Sequence, residues 1–108
     1  MKHLIGLFTG QAINFVSELE LKMNTVADRC DFTVVRRAFH QFEPVGVTGV
    51  LVLAESHFSA HTYPEDNKVY LDVFCCSPNF DPNFCAKTIE EVFDGKLSWS
   101  VVDRGDIN

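Results

Sequence analysis

Residues 46–65, GVTGVLVLAESHFSAHTYPE, leave this chain few ways to fold. The stretch opens as a strand over residues 47–54, apolar on both faces apart from Thr48 and Gly49. It then turns abruptly to Glu55-Ser56-His57, and a second imidazole, His61, follows. Buried strands usually stop at Gly, Asn or Pro; this one stops at an acid, a hydroxyl and two imidazoles. A second apolar strand, residues 68–75, runs directly into Cys76. A strand apolar on both sides leaves neither face to water, so the sheet needs cover on both. Hydroxyl, imidazole and thiol at the ends of neighbouring strands are also the ingredients of nucleophilic chemistry.

The rest of the chain supplies one of those covers. Residues 3–8 read as a short strand. From 11 to about 27, Ile13, Val16, Leu19, Met23 and Val26 recur by threes and fours, which predicts an amphipathic helix. Residues 32–42 alternate as a strand. Residues 56–67 connect the two central strands, and their first part is compatible with extended chain. Asp81-Pro82 starts a second helix, with the carboxylate as cap and proline in the first turn, and Gly95 ends it. Residues 97–102 form a last strand. The order β-α-β-β-β-α-β predicts an α+β two-layer sandwich, an antiparallel sheet with both helices on one face. A second copy of the chain would cover the other face.

Composition narrows the function. At 108 residues, 46% of them hydrophobic, the chain makes one domain. Its net charge of −6 argues against a nucleic-acid partner and suits a cationic substrate. No apolar run is long enough to span a membrane, and the N-terminus does not read as a signal peptide. Cys30, Cys75, Cys76 and Cys85 make no CxxC, so they are expected to be reduced thiols in a cytoplasm. Alternation along residues 68–76 puts Cys75 with Val69, Leu71 and Val73, towards the core, and Cys76 on the opposite side. With no histidine at ligand spacing from this pair, no metal is expected.

Several pieces then fall into one pattern: Phe39-His40-Gln41-Phe42-Glu43-Pro44, Gly46-Val47-Thr48-Gly49-Val50, Leu53-Ala54-Glu55-Ser56-His57, His61-Thr62-Tyr63-Pro64-Glu65 and Asp72-Val73-Phe74-Cys75-Cys76. In this order they resemble the self-processing segment of the prokaryotic S-adenosylmethionine decarboxylases, small pyruvoyl-dependent enzymes of polyamine synthesis. The resemblance implies autocatalytic cleavage between Glu55 and Ser56. Residues 1–55 would form one chain (β) and residues 56–108 the other (α), with Ser56 converted to a pyruvoyl group. It implies that this group forms a Schiff base with S-adenosylmethionine and takes up the electrons left when CO2 departs. It also implies a homodimer.

Roles follow residue by residue. His61 matches the processing base, Thr48 a hydroxyl that assists processing, and Cys76 the proton donor to the substrate α-carbon. Phe42 and Tyr63 match the aromatic positions holding the adenine, with tyrosine where the family usually carries tryptophan, and Glu65 matches a site-lining carboxylate. Each also has a plainer reading: a turn serine capping its own backbone, a half-buried imidazole, a strand threonine, a core phenylalanine, a solvated loop acid. Residues 56 and 61 have opposite parity, so bringing Ser56 and His61 together requires a turn or bulge between them, or reach from a neighbouring strand. His57 belongs to the motif without an assigned role. The same catalytic set also suits an arginine or ornithine decarboxylase, and an uncut relative serving as a regulatory subunit is a third possibility.

Overall fold

The structure, a computed structural model, describes residues 1–106. Six strands, β1 (Lys2–Gly10), β2 (Val34–Gln41), β3 (Val47–Leu53), β4 (Ser56–Tyr63), β5 (Lys68–Cys75) and β6 (Gly95–Asp103), form one sheet in the order β2-β3-β4-β5-β1-β6. Every pairing is antiparallel. Helices α1 (Val16–Arg29) and α2 (Pro82–Phe93) pack side by side over one face, as the α+β sandwich predicts. Their apolar stripes, Leu19, Met23 and Val26 on α1 and Ile89 and Phe93 on α2, meet Leu4, Phe8, Leu51, Phe58 and Val73 from the sheet, all of them fully buried. Burial of each such side chain is worth about 1.5–3 kcal/mol, which is what holds the layers together.

The largest departure from expectation is β4. Residues 56–63 are a complete strand inserted between β3 and β5, so those two are not neighbours. Its alternation is weak in sequence because the inward set is Phe58, Ala60 and Thr62, only one of them strongly apolar, while His57, Ser59, His61 and Tyr63 face outward. Flanking strands hydrogen-bond it on both sides and settle what its own side chains signal poorly.

Helix ends also differ. The first helix begins at Val16 rather than at residue 11, because the free N–H groups find their acceptors there. Glu18 Oε1 accepts from Asn14 and Phe15, both at 3.1 Å, and Gln41 Oε1 accepts from Val16 at 2.9 Å. Asp81 caps α2 as expected, accepting from Asn83 and Phe84. The left-handed residue that ends α2 is Asp94 (φ 63°), not Gly95. Gly95 is instead the first residue of β6, where a Cβ would lie 2.4 Å from the Thr9 carbonyl oxygen.

On the face away from the helices the sheet is bare. Ile5, Val52, Tyr63 and Tyr70 lie there, each between 43% and 49% exposed. This is also the face towards which the polar side chains of β4 and β5 point.

Candidate active site

Chemically equipped residues gather at the two ends of β4. At its start, Leu53 pairs with Ser56, so Ala54 and Glu55 alone close the hairpin from β3. Two-residue hairpins normally place a positive φ within the loop, where glycine or asparagine relieves it. Here neither loop residue has one, and the twist falls on Ser56, whose φ is +150°. A side chain with a Cβ disfavours that region, at a cost of order 1–3 kcal/mol.

Neighbouring groups hold this turn. The Thr33 carbonyl accepts the Ala54 N–H at 2.9 Å, and Glu55 Oε1 accepts the Thr33 N–H at 3.1 Å. Across the sheet Ser56 pairs with Cys75, and the Cys76 N–H donates to the Glu55 carbonyl oxygen at 2.9 Å. That carbonyl belongs to the peptide bond joining Glu55 to Ser56. The adjacent thiols point opposite ways, as alternation predicts. Cys75 is 2% exposed and burial pushes its thiol up, whereas Cys76 is open to solvent.

At the far end of β4, His61 pairs directly with Thr48 of β3, and His61 Nδ1 and the Thr48 hydroxyl share a 2.5 Å hydrogen bond. An aromatic row surrounds the pair: His40–Phe42 at 4.7 Å between centroids, Phe42–His61 at 5.8 Å, His61–Tyr63 at 5.3 Å and Tyr63–Tyr70 at 5.8 Å. Phe42, His61, Tyr63 and Glu65 line one cavity of about 270 Å³. The predicted adenine-binding and carboxylate positions thus come together with His61.

Ser56 and His61 do not. β4 runs from 56 to 63 in unbroken register against both neighbours, with neither turn nor bulge between the two residues. Five residues of strand separate them by roughly 16 Å. Neither expected route unites them: hydrogen bonding on both edges keeps β4 straight, and His61 lies on that same strand rather than reaching over from a neighbouring one.

Between the two ends lies a polar cluster that the sequence does not announce. Asp72 of β5 accepts from His3 Nε2 at 2.6 Å and from His57 Nε2 at 2.9 Å through the same oxygen, Oδ2, while its Oδ1 accepts from the Ser59 hydroxyl. Burial works to raise the Asp72 carboxyl, but the hydrogen bonds from Ser59, His3 and His57 outweigh it and hold the group below its ordinary value. The donor atoms of His3, His57 and Asp72 lie within 4.8 Å of one another, close enough in principle for a metal ion. Arg104, however, donates to His3 Nδ1 at 3.2 Å, which leaves the proton on Nε2 and takes that nitrogen's lone pair away from any ion. The outward parity of His57, Ser59 and Asp72 is visible in sequence, but His3 and Arg104 join them only through the pairing of β1 with β5 and β6.

Fold and site together define a two-layer α+β sandwich with its chemistry spread along a bare sheet face. The chain belongs to the S-adenosylmethionine decarboxylase family, whose sequence profile matches residues 3–105. It is 40% identical over 87 residues to an S-adenosylmethionine decarboxylase proenzyme of Symbiobacterium thermophilum, a match covering 81% of this chain and 66% of that protein. A proenzyme of the same name from Acidithiobacillus ferrooxidans is 34% identical over 97 residues, covering 89% of this chain and 71% of that one. Among solved structures, the adenosylmethionine decarboxylase from Aquifex aeolicus superposes with a TM-score of 0.87 at 25% identity, covering 99% of this chain and 92% of that one.

Two measurements test this geometry. Because the positive φ at Ser56 is relieved by glycine, the Ser56→Gly chain should resist urea better than Ser56→Ala, by about 1–2 kcal/mol; equal midpoints would remove the strain. Asp72, with its depressed folded value, stabilises fully above an ordinary carboxylate pKa of about 4 and loses that contribution as pH falls through the folded value. In a Ser56→Ala background, the stability gap between Asp72 and Asp72→Asn should therefore be widest near neutrality and close on acidification, as read by urea melts at stepped pH.

Proposed function

We propose that this chain cuts itself between Glu55 and Ser56 and, through a pyruvoyl group made from Ser56, decarboxylates S-adenosylmethionine to the aminopropyl donor for spermidine synthesis. The fragments are residues 1–55 and 56–108, the last two residues of the second lying outside the described residues. One observation carries the reading: the serine that the family pattern names as the precursor has a φ of +150°, and the carbonyl before it is hydrogen-bonded to the Cys76 N–H.

The chemistry follows from that arrangement. Ser56 Oγ adds to the Glu55 carbonyl carbon, and the negative charge that develops on the oxygen is met by the Cys76 N–H. Cleavage of the C–N bond then leaves an ester and a free amine at Ser56, relaxing the twisted peptide. A base removes the Ser56 α-proton, the Glu55 carboxylate leaves, and the resulting dehydroalanine takes up water and loses ammonia to become a ketone. The donors around Ser56 suit that group, since scission frees the Cys76 N–H beside an exposed thiol. The pyruvoyl carbonyl supplies an electron sink for the bond to the departing carboxylate. Cys76 holds the proton that the substrate α-carbon needs afterwards.

The processing base in this reading is His61, assisted by Thr48, and the separation along β4 favours the copy on a partner protomer. A two-fold axis near the middle of β4 exchanges the two ends of the strand, so a second copy stacked on the bare face sets its Thr48–His61 pair over Ser56. The same stacking brings the partner's adenine-binding aromatics, Phe42 and Tyr63, and Glu65 to the reacting centre, and covers Ile5, Val52 and Tyr70. The family match and relatives named for S-adenosylmethionine favour this substrate over arginine or ornithine, and favour a working enzyme over a regulatory subunit. A cytoplasmic setting remains part of the reading; among the described residues no helix is long and apolar enough to cross a membrane.

Complementation between chains tests the division of labour. Alone, Ser56→Ala and His61→Ala chains should both stay whole. Co-expressed, the His61→Ala chain should split in mixed dimers, using the base of its partner; if both remain intact by mass, the cross-protomer assignment fails. Cys76→Ala should still split yet lose about 100-fold in turnover, and normal CO2 release would remove its proton-donor role.

A further inference from the structure

Glu55-Ser56-His57 is gripped from one side at two points. Upstream, the Glu55 carbonyl takes the Cys76 N–H at 2.9 Å. Downstream, the His57 side chain donates from Nε2 to Asp72 at 2.9 Å. Asp72 lies on β5 and Cys76 directly follows that strand, so a single run of chain holds both ends of the unit whose middle residue is twisted. A disfavoured φ persists only where its surroundings over-determine it. With residue 57 free to swing, Ser56 could return to a negative φ.

Asp72 is itself set from three directions. Ser59 reaches it from β4 and His3 from β1, and Arg104, just beyond β6, donates to the far side of His3. A carboxylate only accepts and a guanidinium only donates, so the proton positions follow. His3 carries its proton on Nε2, with Nδ1 accepting from Arg104, and His57 presents an N–H at Nε2 to the carboxylate. None of these side chains has a part in the chemistry derived above.

We propose that Asp72 is a positioning residue for the scission at Ser56. By locking His57 in one place and one tautomer, it holds the peptide after Ser56 in the geometry from which Oγ reaches the Glu55 carbonyl. The inference rests on the reading that the chain severs itself at that bond.

The test follows full-length chains from cell-free synthesis by intact mass as they split. Asp72→Asn and His57→Leu should slow scission about 10- to 100-fold, the cost of a small misplacement at a reacting centre. His57→Gln keeps an N–H donor near the position of imidazole Nε2 and should split within roughly threefold of the unaltered chain. Parental rates in Asp72→Asn and His57→Leu would overturn the proposal. So would His57→Gln as slow as His57→Leu, since that makes the imidazole a proton-transfer group. If Asp72→Asn fails to fold, the two His57 variants decide. Nitrogen NMR of the uncut Ser56→Ala chain gives a readout independent of scission. His57 should carry a proton on Nε2, and adding Asp72→Leu, which takes the acceptor away, should leave that proton shared between Nε2 and Nδ1. An unchanged tautomer would sink the lock. If the unaltered chain never splits, the scission reading falls, while the NMR comparison still decides whether Asp72 sets His57.

Discussion

Ser56 pairs with Leu53 through the hairpin and with Cys75 across the sheet, and this double pairing governs the rest of the molecule. It forces a loop of only Ala54 and Glu55, neither of which takes the positive φ that a tight hairpin needs, so the distortion moves onto the serine. The same register sets the Glu55 carbonyl against the Cys76 N–H and places Cys76 next to the Cys75–Ser56 pair. Strain, polarised carbonyl and thiol are therefore consequences of one alignment of three strands. A slip of one residue would turn every outward imidazole of β4 into the helix layer.

That alignment also divides the site. Because β4 is bonded along both edges it stays straight, and a straight strand cannot bring its fifth residue back to its first. Thr48 and His61 are held together at one end by direct pairing, with the aromatic cavity beside them, while Ser56 and Cys76 occupy the other. The exposed apolar side chains of the same face, Ile5, Val52 and Tyr70, give a second copy a reason to stack there that is independent of chemistry. In the dimer proposed above, association and completion of the site would be one event.

The polar network between the two ends belongs to the same economy. Asp72 is partly buried, and burial alone would favour its neutral form. Three hydrogen bonds reverse that preference, and they come from β1 and β4, strands on either side of β5. A group so restrained resists rearrangement, which is what the peptide beside it requires if a twisted backbone is to survive in the folded state.

Much was legible in the residues alone. Helical spacing of Leu19, Met23 and Val26, the Asp81-Pro82 cap and the apolar run of β3 specify two helices and a sheet, since local periodicity and capping act within a few residues. The ordered motif from Phe39 to Cys76 carried the family. Alternation even told Cys75 from Cys76. What escaped depends on contacts far apart in the chain. β4, with one strongly apolar inward residue, is a strand because its neighbours hydrogen-bond it. The His3–Asp72–His57 cluster exists because β1 inserts beside β5, and the start of α1 waits for Gln41 of β2. Composition and order thus determined which groups this chain owns and the layers it builds. Only the tertiary structure decided which of them meet, because strand register is a non-local choice and it alone sets Ser56 beside Cys76 and away from His61.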